Sequence, residues 1–167
     1  VYVGHFDHGL RGDASHADAE WLRETCRRLR VPLEVGRSDV FARAAEDGDG
    51  VEAAARAARY EFLQKTAERL GARFLVTAHT ASDQAETVLH RIIRGTGLAG
   101  LAGIPAERPL SNCVSLIRPM LAMDRAQVIE YLAVIRQDFR EDTSNADLHH
   151  TRNCLRHEIL PTIREKL

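Results

Sequence analysis

The residues best placed for chemistry lie between Thr77 and Gly103. His79 comes just ahead of Ala81-Ser-Asp-Gln-Ala-Glu-Thr-Val-Leu-His90, whose apolar spacing is helical. At roughly 100° per residue, Asp83, Glu86, Thr87, His90 and Arg94 fall on one side of that helix. Ala85, Val88, Leu89, Ile92 and Ile93 fall on the other, which is expected to be the buried side. Two carboxylates one turn apart repel each other, so Asp83 and Glu86 need a cation between them. A bound ammonium or Mg2+ would satisfy that need. A transition metal suits the pair less well, because the spacing is not the His-x-x-x-His of zinc enzymes. For an arbitrary helix the simpler reading is a solvated polar face. This helix differs because His79 stands at its start, where free N–H groups and the helix dipole favour anions.

Five further groups invite a chemical reading. His5, Asp7, His8 and Arg11 fall within one short stretch, which reads equally as a polar loop or as a nucleotide or phosphate pocket. Arg56 and Arg59 are one turn apart, as are Arg152 and Arg156, with Asn153 beside them. Solvated surface is the default for arginine, but such pairs also suit phosphate or carboxylate. Asp142-Thr-Ser-Asn145 is turn chemistry on its face. The string Gly95-Thr-Gly-Leu-Ala-Gly100 matches the dinucleotide fingerprint literally, yet it follows a helix where the fingerprint follows a strand. Its expected roles are a helix cap at Gly95 and a flexible loop, one that could close over substrate.

The elements that must position these groups alternate. Strands are expected over residues 1–6, 32–36, 74–78 and 113–118, the last closed by Pro119. A helix is expected from an N-cap at Ser15, with Asp18 completing a capping-box variant, to just before Pro32, with Leu22, Cys26 and Leu29 on one face. Residues 46–50 read as a turn or helix start. Residues 51–70 form a long amphipathic helix that buries Ala54, Ala58, Phe62 and Leu70, with Gly71 as its left-handed cap. Further helices are expected over about 82–94, over 124–135, and over 152–160 ahead of Pro161, with a polar irregular stretch at 138–150. Alternating strands and helices predict an α/β fold with a doubly wound, mostly parallel sheet. Ligands bind at the carboxyl ends of such strands, so the groups at His5 to His8 and Thr77 to His79 are expected to face one crevice.

Composition narrows the function classes. The 167 residues are 44% apolar and 28% charged, enough for one domain with a real core. No apolar run approaches the roughly 20 residues of a membrane span, and no leader is evident. A net charge of −1 gives no global basic field. Only Lys65 and Lys166 among the 23 basic side chains are lysines. Cys26, Cys113 and Cys154 form no Cys-x-x-Cys pair, which points away from zinc and disulfides and toward a reducing cytoplasm. The expected organisation is a single partial domain, with an α/β core over 1–135 and a closing loop and helix over 136–167.

Taken in order, these pieces resemble the N-terminal domain of the tRNA(Ile)-lysidine synthases, a family of PP-loop, or N-type, ATP pyrophosphatases. The resemblance runs through His5-Phe-Asp-His-Gly-Leu-Arg11, Ala55-Arg-Ala-Ala-Arg-Tyr-Glu-Phe-Leu63 and Ala78-His-Thr-Ala-Ser-Asp-Gln-Ala-Glu-Thr87. It continues through Arg94-Gly-Thr-Gly-Leu-Ala-Gly-Leu-Ala-Gly103, Arg118-Pro-Met-Leu121, Asp142-Thr-Ser-Asn145 and Arg152-Asn-Cys-Leu-Arg156. The ordered series is far more specific than any member of it. Two departures stand out. Arg136 and Gln137 replace the glycine usual after that helix, so the turn there is expected to differ. The family's Ser-Gly-Gly-x-Asp-Ser loop, which grips pyrophosphate through backbone N–H groups, is expected on a strand and helix ahead of Val1. Without it the segment is expected to be inactive and to expose an apolar flank.

The resemblance implies an adenine nucleotide alpha hydrolase-like fold and a two-step ligation. ATP would adenylate the C2 oxygen of the wobble cytidine in the CAU anticodon of tRNA(Ile), and the ε-amine of free lysine would then displace AMP. Asp83 and Glu86 would hold the lysine, and Arg59 and Arg152 would stabilise phosphate charge. His5, His8, His79 and Arg156 would lie at the nucleotide, with Mg2+ bridging the phosphates. The resemblance also suggests a homodimer. Two rivals remain: a sulfur-transferring PP-loop enzyme, which the scattered cysteines disfavour, and a non-catalytic nucleotide- or RNA-binding module.

Overall fold

The computed structural model of the protein describes residues 1–9, 12–47, 50–141 and 151–166. Arg11, residues 48–49 of the expected turn and the Asp142-Thr-Ser-Asn145 stretch lie outside the described residues. The chain forms two compact units, Val1–Leu75 with Pro109–Ser115, and Val76–Arg108 with Leu116–Leu167.

The first unit opens with a β-α-β crossover. β1 (Val3–Asp7) and β2 (Leu33–Arg37) pair in parallel, from Val3 opposite Leu33 to Asp7 opposite Arg37. Between them runs α1 (Asp13–Leu29). The expected N-cap at Ser15 is corrected: the cap lies three residues earlier, at Gly12, in a positive-φ conformation (φ 50°). Ser15 therefore lies inside the first turn and is buried. Of the predicted apolar face, Cys26 is buried but Leu29 is exposed. α2 (Val40–Asp47) follows, where the sequence reading placed no element before residue 46. Its signal was present in Asp39, whose Oδ1 accepts from the Phe41 and Ala42 N–H groups at 3.0 and 3.1 Å. α3 (Val51–Arg69) matches its expected span, and Gly71 takes the left-handed conformation after it (φ 64°).

Phe6, Val40, Ala55 and Ala58 form the core of this unit, with Val51 and Phe62 packed against them. The alanines let α3 approach the strands closely, and Gly36 completes the fit. A Cβ at Gly36 would stand 2.5 to 2.8 Å from three Phe62 ring atoms.

The second unit holds α4 (Ala81–Ile93) and α5 (Leu98–Leu101), after which the chain enters β4 (Glu107–Pro109). β3 (Phe74–Val76), β5 (Ser115–Ile117) and β4 make a three-stranded sheet in the order β3-β5-β4. β4 was not foreseen; it is charged and ends in a proline, as an edge strand can. α6 (Arg125–Val134) starts from a capping box between Asp124 and Gln127. After it, Arg136 adopts φ 51°, and the Arg136 and Gln137 N–H groups bond back to Ala133 and Leu132 at 3.1 and 2.9 Å. The left-handed turn that usually takes glycine is thus formed by arginine.

The last helix also differs from expectation. It runs as α7 (Thr151–Cys154), a π-helical turn (Leu155–Ile159) and α8 (Leu160–Lys166), straight through Pro161. Leu160 N–H reaches five residues back to the Leu155 carbonyl, and Pro161 then sits at the start of a new α-turn, where its missing N–H is tolerated. α4 is corrected too. Ile92 and Ile93 are 51% and 57% exposed, whereas Glu86 on the polar side is 1% exposed. Phe74 and Val76 are exposed as well. Among the described residues no helix is long and apolar enough to cross a membrane.

Two stability outcomes follow from this packing. Gly36→Ala should destabilise the protein by about 1–3 kcal/mol in urea unfolding, by forcing the Phe62 ring out of place. Arg136→Gly should stabilise it by about 1 kcal/mol, because glycine adopts positive φ without strain. A loss of stability in Arg136→Gly would show that the arginine side chain, not the backbone turn, matters there.

Candidate active site

α4 begins at Thr80, and its first turn is closed by Asp83. Asp83 Oδ2 accepts from the Thr80 N–H at 2.8 Å and from the Thr80 hydroxyl at 3.0 Å. This capping box fixes the Asp83 rotamer and leaves Oδ1 as its other acceptor. Glu86 follows one turn on, pointing the same way.

The cation that the two carboxylates require comes from the chain itself. Arg156, in the π-helical turn, donates from Nε to Glu86 Oε1 at 2.6 Å and from Nη2 to Glu86 Oε2 at 3.0 Å. The same Nη2 lies 3.3 Å from Asp83 Oδ1. The Glu86 pair is the parallel fork that guanidinium makes with carboxylate, and it is why a glutamate can be buried here. Hydrogen bonding to Glu86, outweighing desolvation, raises the Arg156 pKa further, so it stays charged. Arg156, expected at the nucleotide, is thus placed on the two carboxylates. Arg152, one turn earlier, is exposed and donates to the Thr87 hydroxyl at 2.9 Å. Asp83, Glu86, Arg152 and Arg156 are therefore brought together on one face of α4. His90 lies on the same helix and is half-buried. His79, just before the helix, has its Nδ1 2.9 Å from the Thr77 hydroxyl.

The glycine-rich loop is fastened by residues the sequence reading passed over. Gln84 exchanges two bonds with Ile104, donating to its carbonyl at 3.2 Å and accepting from its N–H at 2.6 Å. Arg91 donates to the Gly100 and Gly103 carbonyls, each at 2.9 Å. Gln84 and Arg91 are two turns apart on one stripe, and that spacing was the available signal. Gly103 has φ 67° and would place a Cβ 2.6 Å from Gln84 Oε1, so only glycine fits beneath the clamp. Buried Arg118 extends the fastening, with Nη1 donating to the Pro105 carbonyl at 2.7 Å. Gly95 caps α4 with φ 74°, as expected.

The first unit holds the other predicted residues. Arg59 Nη2 is 2.7 Å from His8 Nε2, and since guanidinium only donates, Nε2 must accept. Desolvation, then repulsion from Arg56, lowers the Arg59 pKa. Asp7 holds the turn that presents His8, its Oδ1 accepting from the Gly9 N–H at 2.8 Å. His5 is half-buried in β1, and desolvation pulls its pKa below the usual 6.5 against the attraction of Asp7.

No group of three or more His, Cys, Asp or Glu among the described residues could hold a metal ion. Of the three cysteines only Cys26 is buried, which raises its thiol pKa.

Two measurements test this geometry. Arg156→Ala should cost about 3–5 kcal/mol of unfolding free energy, because it strands a buried carboxylate. In an NMR titration His5 should give a pKa below 6.5. A histidine with a depressed folded pKa destabilises the fold as pH falls below its unfolded value, so His5→Gln should flatten the acid limb of the stability curve. A His5 pKa above 6.5 would mean that Asp7 outweighs burial.

The comparisons agree with one another. The family model described as PP-loop domain matches residues 1–163. The tRNA(Ile)-lysidine synthase of Rhodopirellula baltica is 39% identical over 167 residues, which is 99% of this chain and 42% of that protein. That of Deinococcus radiodurans is 45% identical over 161 residues, 96% of this chain and 26% of that protein. The chain thus spans from about a quarter to about two-fifths of the length of these curated relatives. Among solved structures, the U34-tRNA thiolase of Methanococcus maripaludis, determined with its iron–sulfur cluster, aligns with a TM-score of 0.75. That alignment covers 98% of this chain and 56% of the thiolase at 12% identity, a likeness of fold alone. With the family model covering almost every residue, the chain belongs to the PP-loop domain family.

Proposed function

We propose that this chain is the catalytic-domain segment of a tRNA(Ile)-lysidine synthase, an ATP-dependent ligase that forms a carbon–nitrogen bond. The observation that carries the reading is the carboxylate pair at the start of α4. Asp83 is oriented by a capping box and keeps one oxygen within reach of a cation. Supporting it is the identity of 39% and 45% to relatives bearing that name, along nearly the whole chain.

The reaction has two steps. The C2 oxygen of the wobble cytidine in the CAU anticodon attacks the α-phosphorus of ATP, and pyrophosphate leaves. The ε-amine of lysine then attacks C2, and AMP leaves with that oxygen. A lysine amine is protonated near neutral pH, so it must be held and then relieved of a proton before it attacks. Asp83, backed by Glu86, holds the ammonium. Exposed Arg152, on the same face of α4, stabilises the charge that develops on the departing AMP. Arg59, braced on His8, takes the corresponding role in the first unit, where His5 and His8 serve the nucleotide. His79 serves it from the start of α4. Mg2+ entering with ATP would supply positive charge to the phosphates. The proposed setting is the cytoplasm, where free lysine, ATP and tRNA(Ile) meet.

Asp83→Asn in the full-length gene product should abolish ATP-dependent incorporation of labelled lysine into tRNA while ATP binding stays nearly unchanged. The weakened cap should lower stability by about 1 kcal/mol, which a melting curve separates from loss of the site. Equal loss of lysine transfer and ATP binding would remove the lysine-holding role.

A further inference from the structure

The three charged groups at the start of α4 do not share their bonds evenly. Glu86 gives both oxygens to Arg156, at 2.6 and 3.0 Å, and is 1% exposed. Asp83 gives Oδ2 to Thr80, while among the described residues its Oδ1 has a single long contact of 3.3 Å, to Arg156, and its side chain is 25% exposed. A contact of that length is a weak hydrogen bond, and the Arg156 Nη2 that makes it is already committed at shorter range. One carboxylate is therefore saturated and buried, and the other is held loosely and reachable.

We propose that Arg156 is a positioning residue that sets the charge of the amine pocket. By pairing at short range with Glu86 and only at 3.3 Å with Asp83, it leaves the three groups with one net negative charge centred on Asp83, so that Asp83 Oδ1 accepts one primary ammonium group. This rests on the amine-holding role assigned to Asp83 above. Glu86 then acts on the substrate through Arg156 rather than by touching it. Its function is to keep the guanidinium from closing on Asp83. Arg156 is a rigid fork and stays on Glu86, whereas an ammonium is a compact point donor that can share a lone carboxylate oxygen. Arg152, the next cation along this face, is turned to the Thr87 hydroxyl and leaves Asp83 alone.

A charge cycle in the full-length gene product tests the assignment. The Asp83–Glu86–Arg156 cluster carries −1 as it stands, 0 in Glu86→Gln, −2 in Arg156→Gln and −1 again in the double variant. The readouts are KM for lysine and kcat for lysine transfer to tRNA. Glu86→Gln should raise the lysine KM about ten-fold or more, because the released guanidinium pairs with Asp83. The double variant should return KM to within about three-fold of the parent, since a neutral pair replaces a buried ion pair with little loss. The effect should fall on KM more than on kcat. A double variant as impaired as Glu86→Gln overturns the proposal and means that Glu86 meets the amine itself. Should either single variant fail to fold, the double variant against the parent still decides, with recovery supporting the assignment and a ten-fold loss refuting it. No lysine transfer by the parent enzyme would instead remove the functional reading on which the assignment stands.

Discussion

Burying a glutamate commits the fold to supplying its partner. Glu86 is almost wholly withdrawn from solvent, and the desolvation of a lone carboxylate is far larger than the net stability of a domain this size. Arg156 must therefore arrive, and it comes from 70 residues away. That one requirement explains several features at once. It draws the terminal helix onto the polar side of α4. It leaves Ile92 and Ile93, on the opposite side, exposed. It also fits the π-helical turn, since Arg156 lies inside that turn and its side-chain direction depends on it.

The start of α4 serves both structure and chemistry. Asp83 closes the helix end and at the same time offers an oxygen outward. Thr80 spends its backbone N–H and hydroxyl on one Asp83 oxygen, so the other cannot wander. Gln84 and Arg91 hold the following loop from the same helix. One thirteen-residue helix thus orients the carboxylates, receives the arginines and anchors the glycine-rich segment.

Much of this was legible in the sequence. The strand at residues 3–7, the long helix from Val51, the left-handed glycines at 71 and 95 and the start of α6 all carry local signals: apolar runs, caps and glycine chemistry. The candidate residues Asp83, Glu86, Arg152 and Arg156 were legible as residue types at helical spacing. Their pairing was not, because periodicity within α4 says nothing about a guanidinium supplied by a distant segment. For the same reason the hydrophobic side of α4 was read as its buried side. α2 was missed although Asp39 announced it, and β4 because an edge strand carrying charge and proline looks like a loop. Arg136 shows the reverse: a residue of poor local propensity occupies a turn that the surrounding helix and its backbone bonds impose.

The π-helical turn has a consequence for how this segment tolerates change in length. A single π-turn holds one residue more than regular α-helical winding would use. Removing that residue would give the terminal helix better internal hydrogen bonds and would change the angle at which the turn, Arg156 included, faces α4. The helix would gain as an isolated element and lose its register against α4. Selection for local helix stability and selection for the Arg156 pairing thus pull on the length of this segment in opposite directions.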